Sequence, residues 1–332
     1  MSSSKLRVGL IGASGETGTS IVNGLLEANK FDLIALTRPS SLTKPINKAL
    51  ESRGISLRPF DLTSPQPDLV ASLKDLDVLI SSLPPHDLLS PIPLITAAKT
   101  AGIKRFLPCA YAPVIPPGGI HIIIDQKEKV YQHMKQLRLP FTIVDIGWWF
   151  QLCVPRLPSG RSDYVQLTPS QNTIVGEGDT KSALTDLRDI GRYIARIIVD
   201  ERTLNKYVFV YNELWTQNEM FALTEKLFGE KMERKFVQEG ELRAKLEGVG
   251  DVVDLPTIAT KVPVQYQLSL YVRGDNQPEN AKYLGYLLGK DLYPDFEARS
   301  FEAYVKEVAG GKAKGIYEGR YEDLKKLFVK NK

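Results

Sequence analysis

Histidine and cysteine are scarce in this chain, with three His and two Cys among 332 residues. Cys109 and Cys153 stand far apart, and neither His121 nor His133 has a partner at metal-ligand spacing. Metal chemistry, a CxxC redox centre and a disulfide framework are unsupported, and both thiols suit a reducing compartment. Long apolar runs are missing too: none approaches the roughly 20 residues that span a bilayer. Neither charge sign dominates, since 43 Lys and Arg face 39 Asp and Glu for a net charge of +4. The basic residues are scattered rather than blocked, which implies neither a nucleic-acid partner nor a membrane surface. No Gly-x-Ser-x-Gly, His-Glu-x-x-His or carboxylate pair stands out, so acyl-enzyme chemistry has no footing. The start, Met-Ser-Ser-Ser-Lys, runs into an apolar segment without a charged and apolar leader, and the expected location is cytoplasmic. Apolar content of 43% and charged content of 25% are those of an ordinary globular protein with a sizeable core.

What the chain does have is a glycine series near its beginning. Residues 7–11 form a β-branched, apolar run, glycines recur at Gly12, Gly15 and Gly18, and Ile21, Val22, Leu25 and Leu26 follow at helical spacing. Strand, glycine turn and helix make the first half of a nucleotide-binding βαβ unit, whose backbone N–H groups and helix N-terminus receive a pyrophosphate. A second run, 31–37, ends at Arg38 in Thr37-Arg38-Pro39-Ser40. An acid at that point favours a free ribose 2′-hydroxyl, whereas an Arg pairs with a 2′-phosphate. The expected cofactor is therefore NADP(H) rather than NAD, the alternative for Arg38 being a solvated loop charge.

Further strands are expected over 55–60, 77–83 and 103–108, with helices over 45–53, 67–73 and 92–101. This alternation specifies an α/β fold with a doubly wound parallel sheet. Asp61, just past the third strand, either accepts from the adenine amino group or caps the turn that follows. Ser81, Ser82 and Leu83 end the fourth strand and should border the cofactor, because ligands lie beyond the carboxyl ends of such strands. A helix over 125–135 and a sixth strand over 141–145 come next, closed by Gly147-Trp148-Trp149. Adjacent side chains face opposite ways on a strand, so Trp148 and Trp149 cannot both be core, and one should line a pocket for an aromatic substrate.

Beyond residue 150 the pattern is irregular. Short strands are expected over 163–167 and 173–175, helices over 189–200, 255–273 and 301–308, and a strand over 207–211. Thr216 and Glu219 form a capping-box signature ahead of a helix ending at Phe228. The expected division is a nucleotide-binding domain over 1–155, rejoined by 186–215, and a smaller α+β substrate domain or lid over 156–332.

Hydride transfer needs one residue to give or take a proton. Tyr131 and Lys135 match the Tyr-x-x-x-Lys of short-chain dehydrogenases but come late in their helix, and no Ser completes the set. Lys127 is the better candidate: an expected first-turn position faces the helix dipole, which disfavours an ammonium, and partial burial acts in the same direction. The alternative is a surface lysine beside Glu128 and Lys129. His86, in Pro84-Pro85-His86-Asp87, either positions a substrate oxygen or is solvated.

The glycine turn, Thr37-Arg38, Lys104-Arg105-Phe106-Leu107-Pro108, the Lys127 helix and Leu139-Pro140-Phe141-Thr142-Ile143-Val144 resemble the NmrA-like, isoflavone-reductase-like branch of atypical short-chain dehydrogenases. The resemblance is closest in style to fungal members of secondary metabolism. It implies an NADP(H)-binding Rossmann domain plus a substrate domain, with lysine at position 127 as proton donor or relay. It further implies that Ser14, Gly15, Glu16 and Thr17 hold the pyrophosphate and Arg38 the 2′-phosphate. It places residues 81–83 and Cys109-Ala110-Tyr111 on the nicotinamide side; Gly147 is also expected at the cofactor, and Tyr111 at the substrate together with the two Trp. Cys109-Ala110-Tyr111 replaces the Ser-Glu-Phe of plant reductases, and Gly147 replaces their Asn, so plant phenylpropanoid substrates are not expected. Three functions fit: a reductase of a small aromatic or heterocyclic metabolite, a redox-neutral isomerase or cyclase, and an NADP(H)-sensing regulator. The assembly is a monomer or a homodimer.

Overall fold

The computed structural model describes residues 5–83, 91–167, 172–250 and 254–317. Two compact units emerge, Met1–Tyr111 with Gln126–Asp145 and Arg188–Val208, and Ala112–Asp125 with Ile146–Leu187 and Phe209–Lys332. Relative to the expected division, residues 112–125 and 146–155 cluster with the second unit, and the returning segment is 188–208.

In the first unit, β1 (Leu6–Ile11), α1 (Glu16–Ala28), β2 (Phe31–Thr37), α2 (Pro45–Ser52), β3 (Ser56–Pro59), α3 (Gln66–Leu73), β4 (Val78–Ser81), α4 (Pro91–Ala101) and β5 (Arg105–Leu107) alternate along the chain. The sheet is parallel in the order β3-β2-β1-β4-β5, the doubly wound order with its switch point between β1 and β4. Helix α5 (Ile122–Gln136) leads to β6 (Thr142–Ile146), which joins beside β5 through a parallel bridge between Phe106 and Phe141. One face of the sheet packs Ile34, Leu79 and Phe106 against Leu69 and Leu73 of α3, Leu94 and Ile95 of α4, and Val130 and Met134 of α5. On the other side α1 meets α6 (Leu187–Ile197). Their backbones touch at Gly24 and Gly191, where a Cβ on either would collide with the other helix, and the Gly191 N–H donates to Ser20 Oγ at 3.0 Å.

In the second unit β7 (Trp148–Trp149) pairs in parallel with β9 (Ser182–Thr185), and β8 (Thr173–Val175) lies between them in sequence. β10 (Lys206–Val210) enters this unit with its last two residues, and β11 (Glu213–Trp215) runs antiparallel to β9. The capping box opens α7 (Gln217–Phe228): Thr216 Oγ1 accepts from Glu219 N at 3.1 Å and Glu219 Oε2 from Thr216 N at 2.8 Å. β12 (Lys235–Val237) pairs with β8, and α8 (Glu239–Ala244) precedes α9 (Leu255–Gln267). Phe150, Phe221, Phe301 and Tyr304 centre this unit's core.

Residues 163–167 are not the expected strand. Gly160 turns with φ +75°, Asp163 N bonds back to its carbonyl at 2.9 Å, and a 3-10 turn covers Asp163–Val165. Local turn bonds there outcompete a short alternating pattern. Among the described residues no helix is long and apolar enough to cross a membrane, and no group of three or more His, Cys, Asp or Glu is placed to hold a metal. Both cysteines are free.

The helix contact at Gly191 makes a direct stability test. Gly191→Ala should cost about 1–3 kcal/mol as overpacking, read as a lowered midpoint in thermal melting. Gly240→Ala, where nothing lies within 4 Å of an added Cβ, should leave the midpoint unchanged or raise it.

Candidate active site

The turn between β1 and α1 is built from backbone. Gly12 has φ +82°, and a Cβ there would collide with the Ser82 carbonyl; a Cβ on Gly18 would collide with the Gly12 carbonyl. The protein's own packing thus consumes two of the glycines. A Cβ on Gly15 would meet only the Gly12 oxygen, at 3.4 Å, so Gly15, the N-cap of α1, is the position open to a ligand. Ser14, Glu16 and Thr17 beside it are half-buried. The space beside Gly15 and the positive end of the α1 dipole make this cradle fit an anion such as a pyrophosphate.

Arg38 lies exposed at the carboxyl end of β2. Asp61 takes the capping alternative: its Oδ1 accepts the Thr63 N–H at 2.9 Å and the Thr63 hydroxyl at 2.8 Å. These bonds, and to a smaller degree the Arg38 guanidinium, hold the Asp61 carboxyl below the usual carboxylate range.

At the exits of β4 and β5 the residues interlock. Cys109 Sγ donates to the Leu83 carbonyl at 3.1 Å, and Lys127 Nζ, nine-tenths buried, donates to the Ala110 carbonyl. Burial pushes the Cys109 thiol up despite the nearby Lys127 charge, and it pushes the Tyr111 phenol well above its ordinary range. Tyr111 has φ +41°, uncommon for a bulky residue, and donates its N–H to Val144 O at 3.0 Å. The hydroxyls of Ser81 and Tyr111 are both buried without a hydrogen-bond partner. Each orphan costs about 1–3 kcal/mol at the edge of the sheet where ligands of this fold bind. Glycine cradle, guanidinium and orphaned hydroxyls together fit a 2′-phosphorylated dinucleotide.

Lys127 itself needs a correction. It stands in the second turn of α5, not the first, because the helix begins at Ile122. Asp125, which looks like a helix-start residue, instead receives Gly118 N at 2.7 Å and Gly119 N at 2.9 Å and closes the preceding loop. The dipole effect fades within the first turn, so burial against Ala110, rather than the helix field, sets Lys127 apart. Tyr131 and Lys135 do not pair. Tyr131 is buried edge-on to Tyr207 at 6.2 Å, and Lys135 Nζ lies 3.6 Å from Glu128.

In the second unit Gly147 donates to Thr185 Oγ1 at 2.8 Å and Val210 O at 3.1 Å. An added Cβ would stand 2.7 Å from the Ala183 oxygen, so its role here is close packing against β9. Trp148 and Trp149 are each half-buried on opposite sides of the chain, Trp148 against Tyr266 at 4.8 Å and Trp149 against Tyr317 at 6.5 Å. Tyr266 also meets the His121 ring at 4.2 Å. Neither His121 nor Tyr266 carried a motif that would have singled it out. His86 lies outside the described residues.

The model of the NmrA-like family matches residues 4–321. An asnovolin J 5′,6′-dehydrogenase of Aspergillus novofumigatus is 44% identical over 314 residues, 92% of this chain and 96% of that one. The phenylcoumaran benzylic ether reductase Betv6 of Betula pendula is 26% identical over 317 residues, 91% of this chain and 98% of that one. Among solved structures, the leucoanthocyanidin reductase–NADPH binary complex from Vitis vinifera has the same fold, with a TM-score of 0.77 at 24% identity over 92% of this chain and 99% of that one. Matched along nearly its whole length, this chain belongs to the NmrA-like family.

Proposed function

We propose that this protein is an NADP(H)-dependent oxidoreductase of the isoflavone-reductase-like type, acting on a small aromatic or heterocyclic secondary metabolite, with Lys127 as proton donor or relay. The observation that carries the reading is the buried Lys127 amine, held on the Ala110 carbonyl at the β5 exit. The same unit holds the glycine cradle and Arg38. The activities named for the relatives, a dehydrogenase and a benzylic ether reductase, support hydride chemistry in either direction.

Ser14, Gly15, Glu16 and Thr17 hold the pyrophosphate, Arg38 the 2′-phosphate, and Ser81, Ser82, Leu83, Cys109 and Ala110 the nicotinamide side. Bound NADP(H) supplies or accepts the hydride. The Lys127 ammonium has three N–H donors, and Ala110 occupies one, leaving the others for a substrate oxygen. Lys127 gives a proton as the substrate is reduced and takes one as it is oxidised. The faces of Trp148 and Trp149 suit a flat substrate ring, and Tyr111 and His86 keep the substrate-side role that the sequence suggests.

Two experiments bear on this reading. Calorimetry should show NADPH bound more tightly than NADH, and Arg38→Gln should weaken NADPH about tenfold or more, as loss of a charged hydrogen bond predicts, without affecting NADH. Equal affinity for both coenzymes in the unaltered protein would remove Arg38 from its role. In the second, a panel of aromatic and heterocyclic alcohols, enones and benzylic ethers is followed by product analysis and nicotinamide absorbance in both directions. Lys127→Ala should cut kcat by about 10²–10⁴ and retain NADPH binding; undiminished turnover rejects Lys127. Product formed without any change in nicotinamide absorbance would replace net oxidoreduction by redox-neutral chemistry.

A further inference from the structure

The first turn of α5 has an unusual set of partners. Its opening N–H, on Ile122, donates to the side-chain oxygen of Gln265 at 3.0 Å, a bond between residues 143 apart in the chain. The next, on Ile123, donates to His121 Nδ1 at 3.3 Å. Asp125 is occupied with Gly118 and Gly119. No Ser, Thr, Asp or Asn precedes the helix; the segment reads Gly119-Ile120-His121-Ile122. Capping that such residues normally supply locally comes here partly from α9.

α9 is irregular where it does this. Pro263 lies inside it, and after Gln267 the chain continues as a π-helical turn, Leu268–Arg273, ending at Gly274 with φ +68°. Proline removes one helical hydrogen bond, and π-turns are short, costly and concentrated at functional positions. Between the two irregularities stand Gln265, nine-tenths buried on Ile122 N, and Tyr266, whose ring meets both His121 and Trp148.

We infer that Gln265 is a positioning residue for Lys127: by capping the first turn of α5 it sets the height and rotation of the helix that carries the lysine. Lys127 lies five residues beyond Ile122 on an unbroken helix. At about 1.5 Å per residue the lysine sits roughly 7.5 Å from the clamp, a span over which a short helix moves as one piece. A buried N–H left without an acceptor seeks water, and a first turn that frays to find it frees Lys127 from the Ala110 carbonyl. The inference rests on the reading of Lys127 given above.

The test uses the full chain with NADPH as the only ligand. Hydrogen exchange is read peptide by peptide, and Lys127 labelling by trinitrobenzenesulfonate is followed across a pH series. In Gln265→Leu, exchange over 122–127 and labelling of Lys127 should both rise about five- to tenfold, the size of a lost helix cap, while peptides of the parallel sheet are unchanged. Gln265→Glu keeps an oxygen acceptor and should restore both to the unaltered level. Gln265→Asn withdraws the amide by one methylene and should behave as the leucine variant does, which keeps the test open if that variant fails to fold. Unaltered exchange and labelling in both the Leu and Asn variants overturn the clamp. Acceleration spread evenly along the chain, or no rescue by Glu, also overturns it, by reducing Gln265 to general packing. Lys127→Ala, assayed on the substrate panel, judges the lysine separately: full turnover there rejects the reading of Lys127, whereas exchange and labelling judge the clamp.

Discussion

Three stretches of backbone meet where β1 passes into α1, and nothing larger than hydrogen fits between them. Gly12 lies against the Ser82 carbonyl and Gly18 against the Gly12 carbonyl. This contact draws the start of α1 close to the end of β4 and leaves space beside Gly15, whose own N–H closes the turn on the Gly12 carbonyl at 3.0 Å. The cradle is thus a by-product of packing: two glycines close the turn so that the third can face a ligand. Gly24 against Gly191 repeats the device a turn and a half along α1, seating α6 on the same helix.

The neighbouring strand exits store local cost. Tyr111 holds a left-handed backbone, its phenol and the Ser81 hydroxyl are buried without partners, and the Lys127 amine is withdrawn from water onto one carbonyl. Unpaired polar groups and unusual backbone conformations cluster where a ligand completes the structure. Those at the carboxyl ends of β4 and β5 stand at the position that a doubly wound sheet assigns to its cofactor. Membership of the NmrA-like family and 44% identity to a fungal dehydrogenase are consistent with that picture.

Much of the first unit was legible in the sequence. Apolar runs of strand length, glycine breaks and helical periodicity are local signals, and their alternation specifies a doubly wound parallel sheet, whereas the order β3-β2-β1-β4-β5 was set by how the strands pair. The capping box at Thr216 and Glu219 was readable for the same reason, its two partners being three residues apart. Short, weakly periodic segments were not: 163–167 alternates like a strand yet folds as a 3-10 turn because Gly160 and Asp163 bond locally. The start of α5 misled in the opposite way. Asp125 has the chemistry of a helix cap, but its carboxylate serves the glycine loop, and the apolar Ile122-Ile123-Ile124 carries the helix a turn further back.

By itself, the sequence determined the α/β class, the glycine turn and the presence of Arg38 at the second strand's exit, since each depends only on residues near one another in the chain. It also marked Lys127, but not what holds it. Tertiary structure alone decided that Asp61 caps Thr63, that Gly147 packs on β9, and that Tyr266 lies between His121 and Trp148. It alone brought Gln265 to Ile122 across 143 residues. A hydrogen bond or ring contact of that range leaves no periodicity behind, because its partners are set by how whole elements pack and not by any spacing within one of them.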